Sequence, residues 1–179
     1  MIPLMELVSK ELIWTQPQAL KMEYELRSGE ELVGTLRFRS SLGSFATAEC
    51  ADGCWTFKRV GFWQTHATVR LCGAETDLAV FRNDTWSSGG TLELPGGRKF
   101  PATSNFWATE YEFQTEDELA LIRYKIHGVL HLSAQVEILP PAAGLAELPW
   151  MVLFGWYLVI MMYQDSAAAA AATSGAIYS

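Results

Sequence analysis

Four cations stand where two-residue alternation places them on one side of neighbouring strands. Arg37 and Arg39 alternate with Leu36 and Phe38, Lys58 with Phe57, and Arg70 with Val69 and Leu71. If those strands adjoin, one outer face carries four positive charges and forms an anion site for a lipid head group or an acidic partner. The plainer account is a solvated face with pairs to Glu49 or Glu31. Cys50 and Cys54 flank an Asp52-Gly53 turn, which suits a redox pair or half a metal site. Zinc takes about four ligands, and only His66 and Cys72 lie near in sequence, without zinc-ribbon spacing. Small buried or edge thiols are therefore expected, and no metal. His127 and His131 would share a face in a helix, but they flank Gly128 in strand texture and read as ordinary strand histidines. Asp52, Asp77, Asp84, Glu110 and Glu112 supply carboxylates, yet no spacing sets two of them across a substrate. No Gly-x-Ser-x-Gly elbow and no glycine-rich phosphate loop ahead of a helix occurs. The expectation is a protein that is not an enzyme and holds no cofactor.

Composition narrows the class. Of 179 residues, 50% are hydrophobic and 12% aromatic, a content that folds and supports a sizeable core. Only 18% are charged, which calls for a large interior or an apolar working surface. A net charge of −7 opposes binding to nucleic acid, whose affinity comes from neutralised phosphates. Three cysteines, Cys50, Cys54 and Cys72, are not a disulfide framework. Met1 to Ser9 lacks the basic-then-apolar pattern of a signal peptide. Both observations lead to an expected cytoplasmic location, peripheral to a membrane if lipid is bound.

The elements that must position these residues are mostly strands. From about residue 20 to 138, period-two alternation recurs, as in Tyr24, Leu26, Leu32, Leu36 and Phe38, or Trp107, Tyr111 and Phe113, or Leu130, Leu132, Ala134 and Val136. Turn signals at Ser28-Gly29, Asp52-Gly53, Asn83-Asp84, Ser88-Gly89-Gly90 and Gly96-Gly97 separate about twelve strand candidates. Pro140-Pro141 ends the sheet. Pro149 then suits a first helical turn, and from Trp150 to Tyr163 every residue is apolar, Gly or Tyr.

A helix without a polar face must be surrounded on all sides. Fourteen residues span about 21 Å, short of the roughly 30 Å of a bilayer core, and Gln164 and Asp165 follow at once. Twelve strands, meanwhile, close around a hole too wide for side chains alone. The helix and the hole are two parts of one solution. The expected fold is mainly β: an antiparallel, near-closed barrel of about twelve strands with a buried hydrophobic C-terminal helix at its centre. One domain is expected over residues 1–166, with the central helix at about 148–164 and a frayed alanine-rich tail at 167–179. Trp55, Trp63, Trp86, Trp107, Trp150 and Trp156 read either as core or as the lining of a ligand cavity.

The order of elements resembles the tubby C-terminal-like superfamily, which takes in tubby proteins, phospholipid scramblases and the LURP-one-related family. Residues 46–59, ATAECADGCWTFKR, are similar to the early hairpin of small bacterial members, and 92–100, LELPGGRKF, followed by Asn105-Phe106-Trp107, to their middle hairpin. The terminal apolar helix completes the likeness, over roughly residues 20–164. It implies a near-closed barrel threaded by that helix. Tubby domains bind phosphoinositide head groups and scramblases are membrane-tethered. This chain lacks the scramblases' cysteine-rich and acidic calcium segments, so neither activity carries over residue by residue. The expected function is a non-enzymatic interaction or scaffold protein whose partner is an anionic membrane lipid or another protein, with Arg37, Arg39, Lys58 and Arg70 as its anion-binding face. Two alternatives stand beside it: a barrel for a small apolar ligand with the C-terminal segment outside as a lid, and a tail-anchored membrane protein.

Overall fold

A computed structural model of the chain describes residues 1–61, 65–84, 89–128 and 131–175. Twelve antiparallel strands follow one another around a closed barrel: β1 (Leu12–Thr15), β2 (Glu23–Ser28), β3 (Glu31–Phe38), β4 (Ala46–Cys50), β5 (Gly53–Val60), β6 (His66–Leu71), β7 (Ala79–Asn83), β8 (Gly90–Glu93), β9 (Lys99–Ser104), β10 (Glu110–Gln114), β11 (Ala120–His127) and β12 (Ser133–Ile138). Each pairs with its sequence neighbours, and β1 closes the ring on β12 through Leu12 opposite Val136 and Trp14 opposite Ala134. Alternation sets the faces: in β2 Tyr24 and Leu26 are buried, in β10 Tyr111 and Phe113, in β12 Ala134, Val136 and Ile138.

β1 lies ahead of the region read as strands from the sequence. It is only four residues long, but it removes the last unpaired edge, so the barrel is closed rather than nearly closed.

One helix, α1 (Leu148–Gly175), runs through the lumen. All fourteen residues from Leu148 to Met161 are buried, and their partners come from every side. Trp156 stacks on Trp14 of β1 (5.9 Å) and meets Tyr24 of β2 edge-on. Phe154 packs on Phe57 of β5 (5.1 Å) and Phe81 of β7. Tyr157 stacks on Phe38 of β3. Small inward residues make room on the wall. Ala46, Ala48, Ala67, Ala79, Ala102 and Ala134 are all buried, and Gly34 lies where a Cβ would stand 3.0 Å from Leu153.

On the β11 side the fit is closest. The Tyr124 hydroxyl donates to the Val152 carbonyl at 2.8 Å, and a Cβ on Gly155 would stand 2.2 Å from that hydroxyl. Gly155, the one glycine in the buried stretch of α1, sits where the phenol meets the backbone. The indole N–H groups of Trp14 and Trp156 are buried without a protein partner.

The ends of the barrel differ. The 3-10 turn Leu4–Leu7 covers the end where α1 enters, with Leu4 and Leu7 buried and the Leu4 N–H donating to Asp52 Oδ2 at 2.8 Å. At the other end α1 emerges, tied to three loops or strand ends. Tyr157 Oη donates to Ser44 O (2.7 Å), Tyr163 Oη donates to Ala108 O (3.0 Å), and Arg59 makes a two-pronged pair with Asp165 at 2.6 and 2.8 Å. The helix does not stop at the expected residue 164. It continues through the alanine run to Gly175, since alanine is the strongest helix former even with little to pack against.

Two local expectations are corrected. Trp107 lies in a turn, not a strand, and is exposed. His127 ends β11 and His131 sits in the following connection, separated by Gly128 at φ +80°, so they do not belong to one strand. The strand assignment of Leu130 falls outside the described residues.

Candidate functional site

The strands β3 to β6 do adjoin, and their registers place the four cations on one outer wall. Arg37 is opposite Thr47, Thr47 opposite Thr56, and Thr56 opposite Arg70, so Arg37 and Arg70 end one row three strand spacings long, about 14 Å. Arg39, just past β3, and Lys58 on β5 flank a second, shorter row. The Arg39 N–H donates to Phe45 O (2.9 Å), and the Ala46–Phe57 pairing sets Phe45 beside Lys58. Their backbones are therefore about 10 Å apart, within reach of a common anion for two long side chains.

The two rows differ in charge balance. Arg70 Nε donates to Asp77 Oδ1 at 2.5 Å, which commits its guanidinium. Arg37 faces Glu49 at 3.7 Å, with both side chains about half exposed, a pair worth little in water. Among the described residues Arg39 and Lys58 have no ion-pair partner, and both are exposed. Three of the four expected cations thus gather near the helix-exit end, and the fourth is held by a carboxylate.

The cysteine expectation is overturned in part. Cys54 and Cys72 form a disulfide, with Cα atoms 5.4 Å apart on β5 and just past β6. The Trp55–Leu71 register brings them side by side, although 18 positions separate them in sequence. Spacing along the chain gave no sign of that pairing, which removes the cysteine argument for a reducing compartment. Cys50 is free and faces the core. Burial pushes its thiol up to about 11, with the neighbouring Asp52 carboxylate opposing ionisation further, so it is no nucleophile at neutral pH. Among the described residues no group of three or more His, Cys, Asp or Glu is placed to hold a metal.

Two carboxylates of the opposite wall serve as ion-pair partners. Glu112 pairs with Arg123 (2.7 Å), which also reaches Glu137 (3.5 Å), and Glu137 binds Lys125 (2.7 Å). The Lys125 hydrogen bond lowers the Glu137 carboxyl below its ordinary range.

Trp55, Trp150 and Trp156 are core, whereas Trp107 is exposed. Trp63 and Trp86 lie outside the described residues. The lumen is taken up by Phe154, Trp156 and Tyr157, which fill the interior that a small apolar ligand would need. Two cavities open instead at the exit end. One of about 330 Å³ is lined by Arg59, Tyr111, Tyr157 and Asp165, and another of about 510 Å³ by Gln16, Met22, Tyr24 and Tyr163.

Arg59 joins the site although its spacing along the chain does not group it with the other cations. Alternation puts it on the inward face with Trp55 and Phe57. A charge on an inward position needs a partner, and Asp165 was the carboxylate at hand. Among the described residues no helix is long and apolar enough to cross a membrane. Comparison of the chain with protein-family models, with curated proteins and with solved structures finds no match.

Proposed function

We propose that this barrel is a non-enzymatic binding module that holds an anionic phospholipid head group against Arg37, Arg39 and Lys58. One observation carries the reading. Arg39 and Lys58 flank Phe45 on one wall as exposed cations without an ion-pair partner among the described residues, although the chain has an excess of acid. A wall meant only for solubility would pair them, as the wall across the barrel pairs Arg123 and Lys125. The closed barrel and its threaded helix also support the likeness to the tubby C-terminal-like superfamily, whose tubby members bind such head groups. Work at the periphery of a membrane follows from this reading.

The test is co-sedimentation of the whole protein with vesicles of phosphatidylcholine alone or with phosphatidylserine or a phosphoinositide added. Each cation near an anionic surface contributes about 1 kcal/mol. The double variant Arg39→Gln with Lys58→Gln is therefore expected to bind anionic vesicles roughly 30-fold more weakly, by the tenfold per 1.4 kcal/mol relation. Arg70→Gln is expected to change little, because Asp77 already holds that charge. Equal binding by the wild type and the double variant overturns the proposal.

A further inference from the structure

The most exposed large apolar side chains are not scattered. Leu20 is 98% exposed, Leu42 97%, Phe106 91% and Trp107 76%, and no other large apolar side chain among the described residues exceeds 59%. All four lie in connections at the end where α1 emerges: Leu20 between β1 and β2, Leu42 between β3 and β4, Phe106 and Trp107 between β9 and β10. Single exposed apolar residues need no explanation. Three loops of one rim that each push such residues outward around a central helix do.

These loops are braced. The Gln16 amide donates to Lys21 O (2.9 Å) beneath Leu20. Asn105 Oδ1 accepts from the N–H groups of Thr109 and Glu110, and Tyr163 Oη of α1 donates to Ala108 O, beneath Phe106 and Trp107.

At the centre of this ring α1 continues from Asp165 to Gly175 for about 15 Å. Residues 166–179 contain no Asp, Glu, Lys or Arg. The hydroxyls of Ser166 and Thr173 both donate to helix carbonyls four residues back, to Met162 O at 3.0 Å and Ala169 O at 2.9 Å. The Asp165 carboxylate is matched by Arg59. The emergent helix therefore offers water few polar groups.

From this rim we infer a bilayer-docking surface: Leu20, Leu42, Phe106 and Trp107 enter the lipid interface at three points around the emergent helix, which dips in between them. The occupant is a lipid surface for two reasons. A helix that runs on for about 15 Å past Asp165, which ties it to the barrel, hinders a flat protein face from reaching the ring of tips, whereas a fluid bilayer closes around it. The cations Arg39 and Lys58 sit beside the rim, next to Leu42, at the level where an anionic leaflet holds its charge. Trp and Phe are suited to that interface. The emergent part of α1, about 15 Å long, is shorter than the roughly 30 Å of a bilayer core, so the helix dips in without spanning. The inference rests on the membrane reading above and adds how the bilayer is engaged.

The same sedimentation assay separates the two. Moving one such side chain into lipid is worth roughly tenfold in partitioning. Phe106→Ser with Trp107→Ser is therefore expected to lower binding on the order of 100-fold, while Leu119→Ser, at the opposite end, changes nothing. At high salt, where head-group attraction is screened, the wild type is expected to keep a residual binding that this double variant loses. Bromine-labelled acyl chains are expected to quench wild-type tryptophan fluorescence and not that of Trp107→Phe. If the rim variant binds as the wild type does while Arg39→Gln with Lys58→Gln fails to bind, the docking inference falls and the head-group reading stands. If the wild type binds no vesicle, both fall. If the rim variant instead abolishes self-association of a protein that ignores vesicles, the rim is a contact between two copies.

Discussion

Gly155→Ala is the sharpest probe of the helix inside the barrel. In a free helix this change is stabilising, because alanine is favoured over glycine by about 1 kcal/mol. Here the new Cβ would stand 2.2 Å from the Tyr124 hydroxyl, 2.5 Å from Cζ and 2.7 Å from Cε2. Carbon contacts are comfortable at about 3.5–4.0 Å, so the ring must move in a packed interior, at about 2 kcal/mol for the overpacking. The displaced hydroxyl also loses its bond to Val152 O, worth about 1 kcal/mol. The balance is a destabilisation of about 2 kcal/mol. With Tyr124→Val first in place, the Cβ enters vacated space and only the helix preference remains. The same Gly155→Ala change is then expected to stabilise by about 1 kcal/mol, a coupling of about 3 kcal/mol in a double-mutant cycle. Equilibrium urea unfolding of the four proteins measures it, with an unchanged slope as the control. A Gly155→Ala protein as stable as the wild type would refute the reasoning, since it would mean that Tyr124 does not touch the helix backbone.

Removing residues 148–179 is expected to abolish cooperative unfolding, because Trp14, Phe57, Phe81 and Tyr124 would line an empty lumen. Removing only 167–179 is expected to leave the midpoint nearly unchanged; thermal melts followed by circular dichroism distinguish the two. Stability is also expected to fall above pH 10. Burial pushes Tyr24 up to about 12, and raises Tyr111, Tyr124 and Tyr157 beyond the ordinary phenol range. Above the unfolded value of 10.0 the unfolded chain loses protons that the folded chain keeps, so each such tyrosine removes about 1.4 kcal/mol per pH unit. For Tyr24 that loss ends near its folded value. Urea midpoints on either side of pH 10, with tyrosinate absorbance, would show a flat profile if these phenols were accessible.

Much of this architecture was written in the chain as periodicity. Alternation along Tyr24–Phe38 or Ser133–Ile138 marks strands, and the run from Trp150 to Tyr163, with no polar face, demands enclosure on all sides. The strand count and the helix diameter then select one another. What stayed hidden depends on distance in space. Leu12–Thr15 is too short to stand out, and only its pairing with Val136 and Ala134 gives it a role. Cys54 meets Cys72 because of a hairpin register. Arg70 was grouped with three other cations, yet Asp77, seven residues on, reclaims it. Trp107 stands in step with Tyr111 and Phe113 and so reads as a strand residue, but Asn105 caps a turn there through its side-chain oxygen. The charge of Arg59 falls on an inward position, in step with Trp55 and Phe57, but its partner Asp165 lies 106 residues on.

The helix that fills the lumen leaves the ribosome only after all twelve strands. A nascent chain with all twelve strands already made still lacks the residues against which those strands pack, and β1 must wait for β12 before the ring can close. Early strands such as Glu31–Phe38 lack their packing partners until that helix is made. The β1–β12 closure and the contacts of α1 with the wall join residues distant in sequence, and such contacts form slowly. A product cut short between Ile138 and Leu148 has a wall but no interior, and is expected to be cleared by proteolysis instead of persisting as a partly working barrel.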